Sequence, residues 1–497
     1  MKFKKLLSAT LALMLAASTT SVVLGAEEMA VESSYEAELA EEAELLATTF
    51  TSGDFTYEVL TTKNVKIIEI SEKAEKAIIP ATVKNESKTY NVTEIADGVG
   101  AELPKLTSIN FATATNLTYI GENCFSYCPL VTTLTFPKTS KIDTIGSNAF
   151  YYCPKLATVE NTAKLTKLNR VGSSVLGLSP YMNAQVDENV ILGKVLVKYN
   201  GNDTDVTVPD GVTAIADAYF GKAIVNIDLN DVTYIGNNAF YGCRNLESIE
   251  LSGTVTEIGD MAFSGCTSLK SVTYGNSLTS VGFCAFANCS ALESFKYVGS
   301  ATPKLTDIGE CAFWNCRALF YLDTGAIENV NVGSFWNCFG EVPEEVGGMY
   351  YYKIPETVKT IAEGGYGNLG LAYVAVPDSV EAIASTAFGA TDGAIFVTGK
   401  GTLADEYFTN SGYDSVHYGD MDTDGVVTAL DIKTVASYIA EDIMAKCAEG
   451  ETIGDRDPLN YDGGTGVIAD INGDGKITTA DLAKIFQSIK EEYEATK

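Results

Sequence analysis

Apolar residues recur along the middle of the chain in a fixed frame. Ile120-Gly121 leads to Phe125, Ile145-Gly146 to Phe150, Ile235-Gly236 to Phe240, Ile258-Gly259 to Phe263, Val281-Gly282 to Phe286 and Ile308-Gly309 to Phe313. The step from Phe240 to Phe263 to Phe286 is 23 residues, which is the length of one coil in a stacked array. After each Phe the apolar positions change to short spacing: Leu246, Ile249 and Leu251, then Leu269, Val272 and Tyr274, then Leu292, Phe295 and Tyr297. That spacing predicts a short strand with one face inward. Coils stacked in this way predict a parallel sheet over a continuous apolar core, since no coil can bury its own face alone.

The same frame places a cysteine three residues after the repeat Phe, at Cys128, Cys153, Cys243, Cys266, Cys289, Cys316 and Cys338. Small apolar side chains at one position of successive coils predict a buried ladder of reduced thiols. Cys284 and Cys311, each two residues before the Phe of neighbouring coils, are the pair expected to bridge if any does.

Beyond the repeats the pattern changes. Asp420, Asp422, Asp424, Gly425, Thr428 and Asp431 are followed, fifty residues on, by Asp470, Asn472, Asp474, Gly475, Thr478 and Asp481. Oxygen ligands at loop positions 1, 3, 5, 9 and 12, with a turn-forming Gly at 6, are what wrapping a Ca²⁺ ion requires, so two bound ions are expected. Val426 and Lys476 would add their carbonyls at position 7, and Val427 and Ile477 at position 8 would pair the loops. Each loop runs into a helical apolar spacing, at Ile432, Val435 and Ile439 and at Leu482, Ile485 and Ile489.

A calcium loop plus following helix, twice, with Asp at both twelfth positions and no entering helix, resembles the dockerin module over residues 420 to 497. The resemblance implies docking to a cohesin domain of a multienzyme scaffold. Ala429-Leu430 and Thr479-Ala480 stand at the partner-contact positions, and their difference implies that one face binds by itself. An insertion holding Cys447 and Gly463-Gly464 departs from the common pattern.

The repeat Ile-Gly-x-x-Ala-Phe-x-x-Cys-x-x-Leu in turn resembles the BspA-like leucine-rich repeats of bacterial surface proteins. On that likeness the expected fold is an α/β, β-rich leucine-rich repeat solenoid with hairpin insertions, followed by a small all-α paired calcium-loop domain. The expected division is a signal peptide at 1–26, an acidic Ala/Glu-rich linker at 27–49, an N-terminal β-hairpin cap at 50–97, the solenoid at 98–418 and the dockerin-like domain at 419–497. Within the solenoid, 189–209 resembles a hairpin insertion, and 394–418, with a helical Leu403 to Asn410, resembles the closing cap.

Composition narrows the function. Lys2, Lys4 and Lys5 precede an apolar run from Leu6 to Leu24, which reads as an export signal. No later stretch approaches the length of a membrane helix, so the expected product is secreted or held at the surface by its scaffold, as a monomer. A formal charge of −31 excludes nucleic acid as partner, because phosphates would be repelled. The lone histidine, His417, leaves His-dependent catalysis and His-rich metal sites without support. Gly365, Gly367 and Gly370 spell a formal nucleotide motif but sit where the repeat turn falls, and no G-K-[ST] or G-x-S-x-G occurs.

Two surfaces are candidates for ligand contact. Trp314 and Trp336 directly follow a repeat Phe, as Tyr151 and Tyr241 do, and stacking would align neighbours into an aromatic strip that either binds sugar rings or protein side chains or seals an edge. Ser248, Glu250, Ser271, Thr273, Ser294, Lys296, Tyr321 and Asp323 occupy the outward strand positions, a shallow polar face that suits an extended partner as well as it suits solubility. The expectation is an exported noncatalytic protein that recognises an extracellular protein or polysaccharide and docks to a cellulosome-type scaffold. A scaffold-borne polysaccharide hydrolase or peptidase, whose carboxylate pair has no fixed spacing, and a cell-surface adhesin remain the alternatives.

Overall fold

The computed structural model describes residues 48–418, apart from 217–219, 221–222, 252, 340–350, 371–372 and 392–393. The expected export signal, nearly all of the acidic segment, Cys447 and both acidic loops lie outside the described residues. What is described is a β-rich solenoid of stacked coils. Each coil contributes a strand of two to four residues to one parallel face and a two-residue strand ending in the Ile of Ile-Gly to another.

In the best-formed stretch, Ser248–Leu251, Ser271–Tyr274, Ser294–Tyr297 and Tyr321–Leu322 pair in parallel, with Ser248, Ser271, Ser294 and Tyr321 in one row. Ile249, Val272 and Phe295 point inward and are buried. On the opposite wall Ile215, Ile235, Ile258, Val281 and Ile308 form a second buried row. The Gly that follows each Ile is a spacing requirement. A Cβ on Gly282 would lie 2.7 Å from the Asp260 amide nitrogen, so the turn could not approach the preceding coil.

The repeat Phe residues fill the corner as one column. Phe220, Phe240, Phe263, Phe286, Phe313 and Phe335 stack with ring centroids 4.7–5.6 Å apart, and Tyr366 and Phe388 continue the series. Each buried ring contributes roughly 1.5–3 kcal/mol of burial and about 0.5–1.5 kcal/mol more from its neighbour. The corner itself is not helical. Residues two before and two after the Phe adopt positive φ, as at Asn238 and Gly242 or Met261 and Gly265, and this alternation interrupts any helix. Their freed N–H groups donate to the next coil, for example Asn238 to Asp260 at 2.9 Å and Gly242 to Ser264 at 2.8 Å. Helix is therefore sparse among the described residues, and the α component of the expected class is minor.

The array is interrupted in its middle by a change of core. The parallel ladder that runs through Tyr119–Ile120 and Thr144–Ile145 stops at Arg170–Val171. A new sheet starts with the antiparallel hairpin Asn189–Leu192 and Val195–Tyr199. Alternate side chains of Val195–Tyr199 and Ala214–Ile215 then serve two different cores. Leu196 and Ile215 belong to the core that runs on to Phe408, while Val195 and Ala214, with neighbouring Ala216, belong to the core that begins at Phe55. The first block thus packs on what would be the outer face of the second, and alanines at 214 and 216 leave room for it.

The far end is closed by the helix Leu403–Ser411. The Thr402 hydroxyl accepts the Asp405 N–H, and Gly412 ends the helix at φ 77°. Phe408 stacks on Phe396 at 3.9 Å and meets Phe388 edge-on, covering the last apolar coil.

Candidate functional site

The expected calcium ligands Asp420, Asp422, Asp424, Val426, Thr428, Asp431, Asp470, Asn472, Asp474, Lys476, Thr478 and Asp481 lie outside the described residues. So do the partner-contact positions Ala429, Leu430, Thr479 and Ala480. The structure does describe what leads to them. Ser415–His417 pairs in parallel with Ile395–Thr398, and Tyr418 donates its N–H to the Thr398 carbonyl at 3.0 Å. The His417 ring donates from Nε2 to Asp405 Oδ1 at 3.0 Å, tying the last strand to the capping helix. Asp420 follows Tyr418 by two residues, so the first loop begins directly at the closed end of the stack.

The cysteine ladder is in place and has a specific role. Each thiol donates to the carbonyl of the residue at the Phe position one coil earlier: Cys266 to Phe240 at 3.2 Å, Cys289 to Phe263 at 3.1 Å, Cys316 to Phe286 at 3.1 Å and Cys338 to Phe313 at 3.0 Å. Cys128 and Cys153 do the same in the first block. In the last coil Thr391 takes the position, and its hydroxyl donates to the Tyr366 carbonyl at 3.3 Å. The position selects a small donor that gives a buried carbonyl a second hydrogen bond, beside the N–H it already accepts from its own coil, as Phe240 does from Cys243 at 3.1 Å. Desolvation by burial pushes Cys128 and Cys243 up to about 12 and raises Cys316 and Cys338 as well. Such thiols are inert as nucleophiles. Cys284 and Cys311 are free thiols too, half-buried rather than buried.

The aromatic residues do not form the single strip that spacing suggests. Trp314 is exposed, whereas Trp336 is half-buried with its six-membered ring over the next coil. A Cβ on Gly367 would lie 2.2 Å from that ring and one on Gly364 2.9 Å. The formal motif at Gly365, Gly367 and Gly370 is thus a turn in which one glycine makes room for an indole. Among the described residues no ring contact joins Trp314 to Trp336. Tyr321 stands on another wall, in the polar strand face, with the Lys296 ammonium 5.7 Å from its ring centre.

A compact aromatic group does form in the first block, and spacing did not single it out. Tyr127, Tyr151 and Tyr152 meet with centroids 5.5–6.3 Å apart. Tyr127 and Tyr152 hold φ of 55° and 51°, and Leu178 holds 57° in the next coil. This is the position two after the Phe, where the second block uses Gly242, Gly265, Asn288, Asn315, Asn337 and Asn368. A left-handed conformation costs an ordinary L-residue about 1–2 kcal/mol. These three side chains are nevertheless about half exposed, so burial does not offset that cost. Strain at exposed apolar residues is a pointer to function. The signal was legible as Tyr, Tyr and Leu where most coils of the second block place Gly or Asn.

At the same position in the second block the asparagines form a ladder: Asn315 Nδ2 donates to Asn288 Oδ1, Asn337 to Asn315 and Asn368 to Asn337, at 2.6–2.9 Å. This row of amides flanks Trp314. Between the blocks, Arg170 lies over the Tyr234 ring at 4.8 Å and pairs with Glu257. The cleft there, lined by Tyr119, Glu122, Thr144, Arg170, Tyr234 and Asn237, has a volume near 150 Å³. That is below the roughly 300–1,000 Å³ of pockets that enclose small organic ligands. No helix among the described residues is long and apolar enough to cross a membrane.

Comparison with known proteins agrees with this architecture. Residues 62–174, 193–320 and 344–398 match the BspA type leucine rich repeat region, in 6 copies, and residues 418–490 match the dockerin type I domain. No curated protein matches the chain. Similar solved structures include a leucine rich cell surface protein from Faecalibacterium prausnitzii A2-165, at 20% identity, covering 72% of this chain and 96% of that one with a TM-score of 0.27. A leucine-rich repeat protein from Bacteroides ovatus ATCC 8483 is 18% identical, with 74% and 99% covered and a TM-score of 0.35. The pneumococcal vaccine antigen PcpA is 13% identical, with 75% and 99% covered and a TM-score of 0.33. Both matched families are noncatalytic binding and docking modules. The chain belongs to the BspA type leucine rich repeat family and carries a dockerin type I domain at its C-terminal end.

Proposed function

We propose that this is an exported, noncatalytic binding protein that recognises an extracellular protein or polysaccharide through its solenoid and is anchored by calcium-dependent docking to a cohesin. The observation that carries the reading is the joining of the closed end of the repeat stack to a dockerin type I match, two residues before the first acidic loop. The donor set suits calcium: Asp420, Asp422, Asp424, Thr428 and Asp431, and then Asp470, Asn472, Asp474, Thr478 and Asp481, offer only hard oxygen ligands. Two ions are expected, with the Val426 and Lys476 carbonyls completing the shells. Calcium stabilises the docking fold by binding only its organised form.

The cohesin contact falls to Ala429 and Leu430 or to Thr479 and Ala480. Ligand contact falls to the exposed Trp314 beside the asparagine ladder, to Tyr321 on the polar strand face and to the strained Tyr127–Tyr152 corner. Trp336, under the next coil, has a mainly structural part. The test is capture of a cohesin by the purified chain. Asp424→Ala with Asp474→Ala should abolish capture while the far-ultraviolet spectrum of the repeats stays unchanged, and capture that persists in excess chelator rejects the mechanism.

A further inference from the structure

Positions two residues before the repeat Phe adopt positive φ in most coils described, and several are filled by residues that tolerate it: Asn123, Asn148, Asn238, Gly333 and Gly364. Met261 at φ 54° departs from this, and so do the next two coils, with Cys284 at φ 52° and Cys311 at φ 56°. These are not ladder cysteines. The Cys284 N–H donates to the Glu310 carbonyl at 3.0 Å and the Phe286 N–H to the Ala312 carbonyl at 2.7 Å, which sets Cys284 directly beside Cys311 in the parallel corner row. The Cys284 and Cys311 side chains are close enough to interact, as are those of the ladder pair Cys266 and Cys289, which unlike them are fully buried. Cys284 and Cys311 are half-buried and open to solvent in part.

The position of the pair is also distinctive. From Phe286 to Phe313 the step is 27 residues against 23 for the two coils before it, and the added length lies in the exposed segment 298–304. This is the longest step between Phe220 and Phe335. Neighbouring parallel segments lie about 4.8 Å apart, inside the roughly 4.4–6.8 Å that a disulfide spans between α-carbons. We propose that Cys284 and Cys311 are an oxidative modification site, where a small-molecule disulfide converts the pair to a cross-link that staples the lengthened coil to its neighbour.

In the balanced step both thiols are oxidised and each loses its proton, one S–S bond forms, and one molecule of oxidised glutathione is reduced to two of glutathione. Desolvation, with the contact to Cys311 next, raises Cys284 to about 11, so the exchange is slow at neutral pH and faster in mild alkali. The chemistry depends only on the pair's geometry. The compartment in which it occurs follows from export, which is part of the function proposed above, and the test is independent of it.

The full chain is reduced, exchanged into oxidised glutathione at mildly alkaline pH, quenched, alkylated and digested with trypsin. The expected result is a cross-link between peptides 271–296 and 305–317, with the remaining cysteines alkylated. These peptides also carry the ladder thiols Cys289 and Cys316, so variants at both ends assign the bond. The cross-link should vanish in Cys284→Ser and in Cys311→Ser and persist in Cys289→Ser. A cross-link that survives Cys284→Ser or Cys311→Ser, or glutathione adducts without any cross-link in the unsubstituted chain, would overturn the proposal. The oxidised chain should also melt higher than Cys284→Ser treated identically, and an equal or lower melting temperature would refute the stapling.

Discussion

Replacing Tyr152 by asparagine should make the protein more stable, although it removes an aromatic side chain. Tyr152 holds φ 51° and is 47% exposed. Relief of a left-handed tyrosine is worth about 1–2 kcal/mol, and asparagine tolerates that conformation with only a residual part of the cost. Against this stands the tilted ring contact with Tyr127 at 5.5 Å, worth at most about 0.5 kcal/mol at such exposure. The net gain is about 0.5–1 kcal/mol. Urea unfolding followed by circular dichroism, with an m-value near 3 kcal/mol/M for a block of this size, would show it as a midpoint shift of about 0.2–0.3 M upward with m unchanged. A midpoint that falls by the same amount would refute the idea that strain is stored at this corner. If the corner is a contact surface, the same variant should lose ligand affinity as it gains stability.

Gly282→Ala should destabilise by about 1–3 kcal/mol, because its Cβ would meet backbone of the preceding coil at 2.7 Å; calorimetric melting against a surface Ala control checks it. Cys289→Ala should cost about 0.5–1.5 kcal/mol by removing one of the two hydrogen bonds to the buried Phe263 carbonyl, which keeps the Cys266 N–H, while Cys289→Ser should recover part of that loss; urea midpoints of the two variants decide. Stability should be flat near neutrality and fall as pH rises from about 9 toward 12. The buried thiols of Cys128 and Cys243 keep their protons up to about 12, whereas in the unfolded chain they release them near 9, so the folded state holds more protons across that window. Midpoints measured from pH 7 to 11 test the sign, and stability that rises with pH contradicts it.

Much of this was legible in the residues. The Ile-Gly, Phe and Cys positions identify the coil, and the row Ser248, Ser271, Ser294 and Tyr321 stands in register as the alternation suggests. The Cys-to-carbonyl bond was not legible, because periodicity locates a side chain without showing which backbone group it reaches. The break between blocks was missed for a related reason. Alternation separates inward from outward positions, but an outward residue can face water or a second core, and only the small Ala214 and Ala216 hinted at the latter. Backbone φ leaves no mark on composition, so the strained corner at Tyr127 and Tyr152 became visible only beside the Gly and Asn residues that replace it elsewhere. The expected bridge site, Cys284 and Cys311, proved to be two thiols side by side.

The seam where two cores share Val195–Tyr199 and Ala214–Ile215 has a mechanical consequence. A chain tethered at its tail and tugged through whatever it grips must carry tension across that seam. There the coils on either side are not laced by a continuous hydrogen-bonded ladder, and the clasp includes the exposed Arg170 on Tyr234 and Glu257, an ion pair worth about 0–1 kcal/mol. Under pulling, the two stacks would part at this point before either lost a coil, so the molecule would lengthen like a folding rule and close again when released.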